Sequence, residues 1–297
     1  MLIDPVTAHF VAEVGDVDLS QPLGDADWDA IQKAFWKYAV LVFPAQALSV
    51  EEHLAFARRF GPLETSIEEY RPGAEMRVPP EIADVSNLTA DNTIWDEHST
   101  RRLHEMGNRL WHTDSSFRRT PAFASLLYAR SIPPVGGRTE FADLRAAYDA
   151  LSESRKLDLE GLVAEHCIRY SRARIGFKDF SEEEIQAMPP VPQVLVRRLP
   201  QTGRRTLYLA AHAGRIFGLP DEAGKALIDE LIAHATLSEF VYIHRWRVND
   251  LVMWDDRCTM HRGTAFDDVR WPRDVQRATV CDIAPTCEQE GIRVPRS

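Results

Sequence analysis

A chain of 297 residues with 44% hydrophobic and 27% charged side chains has the make-up of a globular protein with room for a sizeable core. Its 35 basic and 45 acidic residues leave a net charge near −10, and no Lys/Arg-rich block interrupts the sequence, so nucleic acid and anionic membrane are poor partners. An anion bound by such a chain has to meet a local concentration of positive charge. The four cysteines, Cys167, Cys258, Cys281 and Cys287, form no CxxC pair and read as free thiols of a reducing compartment. The longest strongly apolar stretch, Ala39 to Phe43, falls far short of a membrane span, and the N-terminus has no apolar targeting segment. A soluble, cytoplasmic protein is the expectation.

In chain order, residues 25 to 37 carry Trp28, Ile31, Phe35 and Trp36 at helical spacing, and Ala39 to Phe43 follows as a short buried strand. Ser49 and Glu52 make a capping box for a second amphipathic helix that stops at Gly61-Pro62. Beyond this the pattern turns to short strand-like runs: 82–85, 122–129, 138–142, 194–199, 206–210, 240–246, 251–254 and 277–283. Helical interruptions at 143–151 and 221–235 follow no βαβ rhythm, which argues for a sandwich or barrel over a doubly wound sheet. The polar, aperiodic stretch from Asn87 to Arg109 reads as a long loop and a candidate lid. No repeat, low-complexity tract or linker divides the chain, so one domain over 1–297 is expected, with 1–62 packing on the barrel and 64–110 as a lid or loop insertion. Apolar helices within the first 60 residues leave room for a homo-oligomer.

Nucleotide-binding and hydrolase signatures are missing: there is no GxGxxG, GxxxxGK[ST], GxSxG or HExxH. What remains is Trp111-His112-Thr113-Asp114. On extended backbone, side chains at i and i+2 share a face, so His112 and Asp114 can ligate one ion. Ten histidines in this composition give about 1.5 chance matches to such a dyad, so a third ligand is needed. His261, at the end of Leu251-Val-Met-Trp-Asp-Asp-Arg-Cys-Thr-Met-His261, supplies one, since a late strand of an antiparallel barrel can bring it beside His112. Two imidazoles and a carboxylate form the facial set of non-haem Fe(II) oxygenases, whereas zinc prefers a closed or single-vacancy tetrahedron. Arg273 and Arg277, four apart on a segment expected to be extended, would share a face and point two guanidiniums into one cavity; surface arginines balancing Asp267, Asp268 and Asp274 are the alternative.

Four blocks then occur in order: WHTDSSF at 111–117, GGRTEF at 136–141, VMWDDRCTMH at 252–261 and PRDVQRAT at 272–279. With RRFGPLE at 58–64, DLRAAYDAL at 143–151 and EFVYIHRW at 239–246, the sequence resembles the TauD/TfdA family of 2-oxoglutarate-dependent Fe(II) dioxygenases over nearly its whole length. Within that family the likeness is to members acting on aryloxyalkanoates such as 2,4-dichlorophenoxyacetate.

The resemblance implies a mostly β fold with flanking helices around a double-stranded β-helix, a jelly-roll or cupin-like core. It implies Fe(II), 2-oxoglutarate as co-substrate and O2, and hydroxylation of a small, anionic, carboxylate-bearing aromatic compound with ether cleavage to a phenol. A sulfonate or an amino-acid derivative is the alternative substrate; a zinc hydrolase and a non-enzymatic small-acid-binding barrel are the competing classes. Carried over by position, it makes His112, Asp114 and His261 the catalytic metal ligands, and Thr139 and Arg273 the pair holding the distal carboxylate of 2-oxoglutarate. Arg277, Asn108 and the Ser115 backbone become candidate substrate contacts. Trp254 matches an aromatic lining the iron pocket or is core, while His212 reads as a structural histidine with a possible reach into the substrate pocket. The segment after GPLE reads Thr65-Ser-Ile-Glu-Glu69 where similar aryloxyacetate dioxygenases carry lysine, so Glu68 and Glu69 set a negative pair against an anionic substrate.

Overall fold

The computed structural model describes residues 1–66 and 76–294; Glu68 and Glu69 lie outside them. A seven-stranded sheet runs in the order Leu2–Pro5, Val11–Gly15, Val40–Phe43, Leu251–Asp255, Ala122–Ser131, Asp274–Cys281, Ile82–Asp84. Its pairings are antiparallel except the one between Val11–Gly15 and Val40–Phe43. A three-stranded antiparallel sheet, Val241–His244, Thr139–Asp143 and Thr259–Gly263, forms the second wall. Two smaller sheets, Ala213–Ile216 with Val163–His166 and Val191–Val194, and Arg205–Leu207 with Val196–Arg198, extend it.

The run from Val40 to Phe43 is apolar throughout because both its faces are covered. Leu41 and Phe43 pack with Ile31 and Phe35 of the helix Asp25–Tyr38 and with Leu54 and Phe56 of the helix Val50–Arg58. Val40 and Val42 turn the other way, toward Trp254, Val275 and Phe141 between the two sheets. Leu251 and Met253 against Val252 and Trp254 repeat this alternation one strand over. A third cluster, built from Ala142, Met260, Leu207, Ile216, Ile228 and Leu231, seats the helix Asp221–Ala235 against the second wall. The result is the jelly-roll core with flanking helices expected from the resemblance.

The Ser49–Glu52 capping box forms as read, with Ser49 Oγ accepting the Glu52 N–H and the Glu52 carboxylate accepting the Ser49 N–H. Two readings need correction. The stretch from Asn87 to Arg109 is not loop throughout: Thr100–Glu105 is an α-helix continued by a 3-10 turn at Met106–Arg109. Its polar sequence hides this because the segment is held by tertiary contact, the His104 ring lying 5.0 Å from Phe177 and 6.3 Å from Phe180. The run 194–199 is two strands in different sheets, broken at Leu195, whose N–H turns to the Leu162 carbonyl.

Arg145 joins the second wall to the N-terminal elements. Fully buried, it pairs with Asp143 at 2.9 Å and donates to the carbonyls of His9, Lys37 and Tyr38, while Asp143 also caps the helix Leu144–Asp149. Arg145→Met strands the Asp143 carboxylate, and urea unfolding should register a loss of about 3–5 kcal/mol. An unchanged midpoint would mean that this junction does not hold the elements together.

Burial pushes the imidazole of His53 down to about 4 and that of His166 to about 3. Both are neutral in the fold, whereas in the unfolded chain they take up protons below about 6.5. The unfolded state therefore binds more protons, and stability is present above pH ~6.5 and lost as pH falls toward ~4. His53→Gln should reduce the slope of unfolding free energy against pH in that window by up to about 1.4 kcal/mol per pH unit. An unaltered slope would show that His53 titrates normally in the fold.

Candidate active site

The strand Thr259–Gly263 turns Met260 into the core and His261 the other way, onto Trp254 with ring centroids 4.7 Å apart. Trp254 is thus both core and backing for His261. The segment carrying His112 reaches this strand through one antiparallel bridge, His112 N–H to the His261 carbonyl at 3.0 Å and His261 N–H to the His112 carbonyl at 2.8 Å. The two imidazole centroids stand 4.2 Å apart. Between His112 and Asp114 the intervening Thr113 points away, its hydroxyl 2.9 Å from the carbonyls of Leu209 and Thr259, which leaves the flanking pair on one side as the i, i+2 spacing requires. Ser115 then turns the chain with φ 50°.

His112 Nε2 and His261 Nε2 each lie 3.7 Å from the Asp114 carboxylate, and one donor atom from each of the three residues falls within 4.8 Å of the others. His112 Nδ1–H donates to the Leu110 carbonyl at 2.7 Å, so the Nε2 lone pair is the one turned to the shared centre. Burial holds the imidazole of His112 below its ordinary range, and burial together with the His112 ring holds that of His261 well below it, so both are neutral. Burial alone would push the Asp114 carboxyl up; the Arg277 guanidinium, with the Ser125 hydroxyl, brings it below the usual carboxylate range. Arg277 Nη1 donates to Asp114 Oδ1 and the Ser125 hydroxyl donates to Oδ2 at 2.8 Å. Asp256 accepts the Asp114 and Trp254 N–H groups, and burial plus the Asp114 charge push its own carboxyl well up, so only one of the two neighbouring acids is ionised. Two neutral imidazoles and one anionic carboxylate on one side of a buried pocket are the donor set that suits a divalent iron with adjacent open positions.

Arg273 and Arg277 do not share one cavity. Arg277 faces the chamber lined by His112 and Asp114, while Arg273 faces an adjoining one lined by Asn87, Trp95, Gly263 and Phe266; Val85, Glu105 and Asn108 line both. Four residues of strand separate the two arginines by about 13 Å. Arg273 is 8% exposed, Nη1 donating to the Val85 carbonyl at 3.3 Å, with Nε unpartnered and no ion pair among the described residues. Burial lowers its guanidinium to about 10. Thr139 sits opposite Gly263 in register, and its hydroxyl accepts the Trp246 indole N–H at 2.9 Å.

Asn108 lines both chambers with its amide engaged, Nδ2 donating to Glu105 at 2.6 Å and Oδ1 accepting from Arg172 at 3.5 Å. The Ser115 hydroxyl donates to Glu64 at 2.6 Å. His212 does more than fill core: it meets Ser171 at 2.9 Å, yet also lines the chamber with its ring 5.9 Å from His112. Sequence reasoning assigns no role to Arg172, Glu105, Phe117 and Glu64, all chamber residues; Phe117 and Glu64 close the blocks WHTDSSF and RRFGPLE, whereas Arg172 and Glu105 have no local pattern to mark them.

A jelly roll that holds two imidazoles and a carboxylate beside a buried guanidinium without an anion defines the two-histidine-one-carboxylate class of metal-dependent oxygenase. Residues 2–279 match the family described as taurine catabolism dioxygenase TauD, TfdA family, and the chain belongs to it. The α-ketoglutarate-dependent 2,4-dichlorophenoxyacetate dioxygenase of Cupriavidus pinatubonensis is 43% identical over 284 residues, 96% of this chain and 99% of that one. The (S)-phenoxypropionate/α-ketoglutarate dioxygenase of Sphingobium herbicidovorans is 37% identical, over 89% and 90% of the two chains. A crystal structure of AAD-2 in complex with Mn(II) and N-oxalylglycine superposes with a TM-score of 0.89 at 45% identity, covering 96% of this chain and 99% of that one. The protein is accordingly a dioxygenase that uses Fe(II), 2-oxoglutarate and O2. No helix among the described residues is long and apolar enough to cross a membrane.

Since Arg273 carries a desolvated charge with no anion in the ligand-free protein, Arg273→Met should raise ligand-free stability by about 1 kcal/mol or more in urea unfolding. A lower midpoint in the variant would mean that its charge is already compensated.

Proposed function

We propose that the protein hydroxylates a small carboxylate-bearing aromatic compound of the aryloxyalkanoate class, working as one dioxygenase domain with 1–62 packing on the barrel and 64–110 as a lid or loop insertion. Hydroxylation of the carbon beside the ether oxygen gives a hemiacetal that collapses to a phenol and an oxo acid. The observation that carries this reading is the His112, Asp114 and His261 donor set, with His112 and Asp114 on the wall of one chamber, beside a second adjoining chamber, each chamber with a buried guanidinium. The relatives' activities and the near-complete coverage support the substrate class.

In this reading His112, Asp114 and His261 hold Fe(II). Iron and 2-oxoglutarate supply the oxidising chemistry when bound, with O2 consumed and 2-oxoglutarate decarboxylated to succinate. Arg273 and Thr139 receive the distal carboxylate of 2-oxoglutarate, the guanidinium as fork and the hydroxyl as donor, since its lone pair already accepts from Trp246. Arg277 keeps Asp114 ionised and oriented, and faces the acidic groups of the ligands from there. The Trp254 and Phe141 rings behind His261 fix its plane and keep water from its back. Asn108 and Ser115 contribute to the substrate side of the wall.

Anaerobic addition of Fe(II) and 2-oxoglutarate should give a visible charge-transfer absorption that His112→Ala and Asp114→Ala abolish; its persistence in both would overturn the ligand assignment. Succinate release coupled to product across aryloxyacetates, aryloxypropionates, sulfonates and amino-acid derivatives should be highest for the aryloxy acids. Coupling confined to sulfonates or amino-acid derivatives would overturn the substrate class.

A further inference from the structure

Five arginines among the described residues are buried: Arg145, Arg172, Arg197, Arg257 and Arg273. Three have a carboxylate in contact, Arg145 with Asp143 at 2.9 Å, Arg197 with Asp282 at 2.7 Å and Arg257 with Asp255 at 2.7 Å. Arg172 and Arg273 have none among the described residues, and these two are the ones that face the chambers. Arg273 is given a partner by the reading above. Arg172 is not, although it lies on the wall of the chamber that contains His112, Asp114 and Arg277.

Its surroundings are built to hold it in place. The helix Ile168–Arg174 carries it, and its Nη1 donates to the Ser171 hydroxyl at 3.3 Å. Nη2 donates to Asn108 Oδ1 at 3.5 Å, and the Asn108 amide is oriented by its other end on Glu105. Gly107 makes room for the head group: a methyl there would come within 2.2 Å of Arg172 Nη1. Nε is buried without a partner. Burial lowers the guanidinium to about 10, with Glu105 acting through space in the opposite sense, so it stays charged at neutral pH. The chamber's other cations of known pairing are answered, Arg277 by Asp114 and Arg118 by Glu64 at 3.5 Å. Phe117 and Ile168 supply an apolar wall in the same chamber, and Phe117 and His212 stand edge to face at 5.0 Å.

We propose that Arg172 receives the carboxylate of the primary substrate, with Phe117 and Ile168 taking its apolar body and Asn108, Gly107 and Ser171 positioning the guanidinium. This rests on the reading of the substrate as a small aromatic acid. It transfers to Arg172 a task that Arg277, already engaged with Asp114, is not free to perform alone.

The experiment compares an acid with its methyl ester, using whichever acid of the substrate panel the wild-type protein turns over best. Arg172→Met should raise KM for the acid about 10- to 100-fold while changing kcat/KM for the ester less than about twofold, and Arg172→Lys should recover part of the loss. Gly107→Ala, which displaces the head group without altering any charge, should raise KM for the acid in the same way. The anaerobic Fe(II) and 2-oxoglutarate absorption reports whether each variant retains the cofactor half of the site. An acid KM within twofold of wild type in Arg172→Met, or an equal loss for acid and ester, would overturn the assignment. A panel that selects a non-aryl acid refutes the aryloxyalkanoate reading and leaves the Arg172 comparison to be made on that acid; one that selects an uncharged compound overturns both.

Discussion

Two backbone hydrogen bonds between His112 and His261 are the constraint on which the centre depends. They join a segment outside the named strands to a strand 149 residues later in the chain, and in doing so set two imidazoles 4.2 Å apart. Neither side chain could be placed so by its own rotamer preferences. The bridge works because each flank is pinned separately: Thr113 is anchored between two carbonyls on the core side, and Thr259 at the other end of the strand bonds the Asp255 carbonyl. Asp114 then follows from geometry, being two residues on along the same extended backbone.

The net charge of the chain says nothing about this interior. Around Asp114 the molecule collects one ionised carboxylate, one neutral one in Asp256, two neutral imidazoles and the Arg277 guanidinium, so that a buried anion is offset without adding a second negative charge beside it. The imidazoles stay neutral through burial, helped at His261 by the His112 ring, and this keeps a lone pair available on each Nε2. The expectation that an acidic protein binds anions through local positive charge is met by side chains withdrawn from solvent, where a guanidinium is far more effective than on the surface.

Much of this is legible in the sequence where the determinants are local. The helix Asp25–Tyr38, the capping box at Ser49 and the strand Val40–Phe43 follow from periodicity and caps, and the i, i+2 spacing of His112 and Asp114 already marks a shared face. What escapes is set by contacts distant in sequence. The helix Thr100–Glu105 is held by Phe177 and Phe180, the pairing of Arg277 with Asp114 spans 163 residues, and the position of Arg172 depends on space left at Gly107. Arg172 lies in IRYSRAR, a charged helix whose sequence gives no sign that one of its arginines is buried. The expectation that Arg273 and Arg277 meet in one cavity fails for a simpler reason: sharing a face of a strand does not bring residues four apart close together.

The division into two chambers follows from that separation. Glu105 and Asn108 stand on the wall between them, and the Glu105 carboxylate is felt by both Arg172 and Arg273 without contacting either as an ion pair. One carboxylate thus stands between two guanidiniums that hold no carboxylate of their own among the described residues. Elsewhere among the described residues each buried arginine is matched by its own carboxylate, which shows that the fold can neutralise such charges where nothing else will. Retaining two that are not matched costs stability, because a desolvated charge without a partner is among the most expensive features a protein interior can contain. That cost is recovered when an anion arrives, since the guanidinium has already lost its water and its orientation is already set. In the proposed reading the unmatched charges answer the chambers' ligands, and the surrounding jelly roll, whose other three buried arginines among the described residues each contact a carboxylate, is what allows them to be carried.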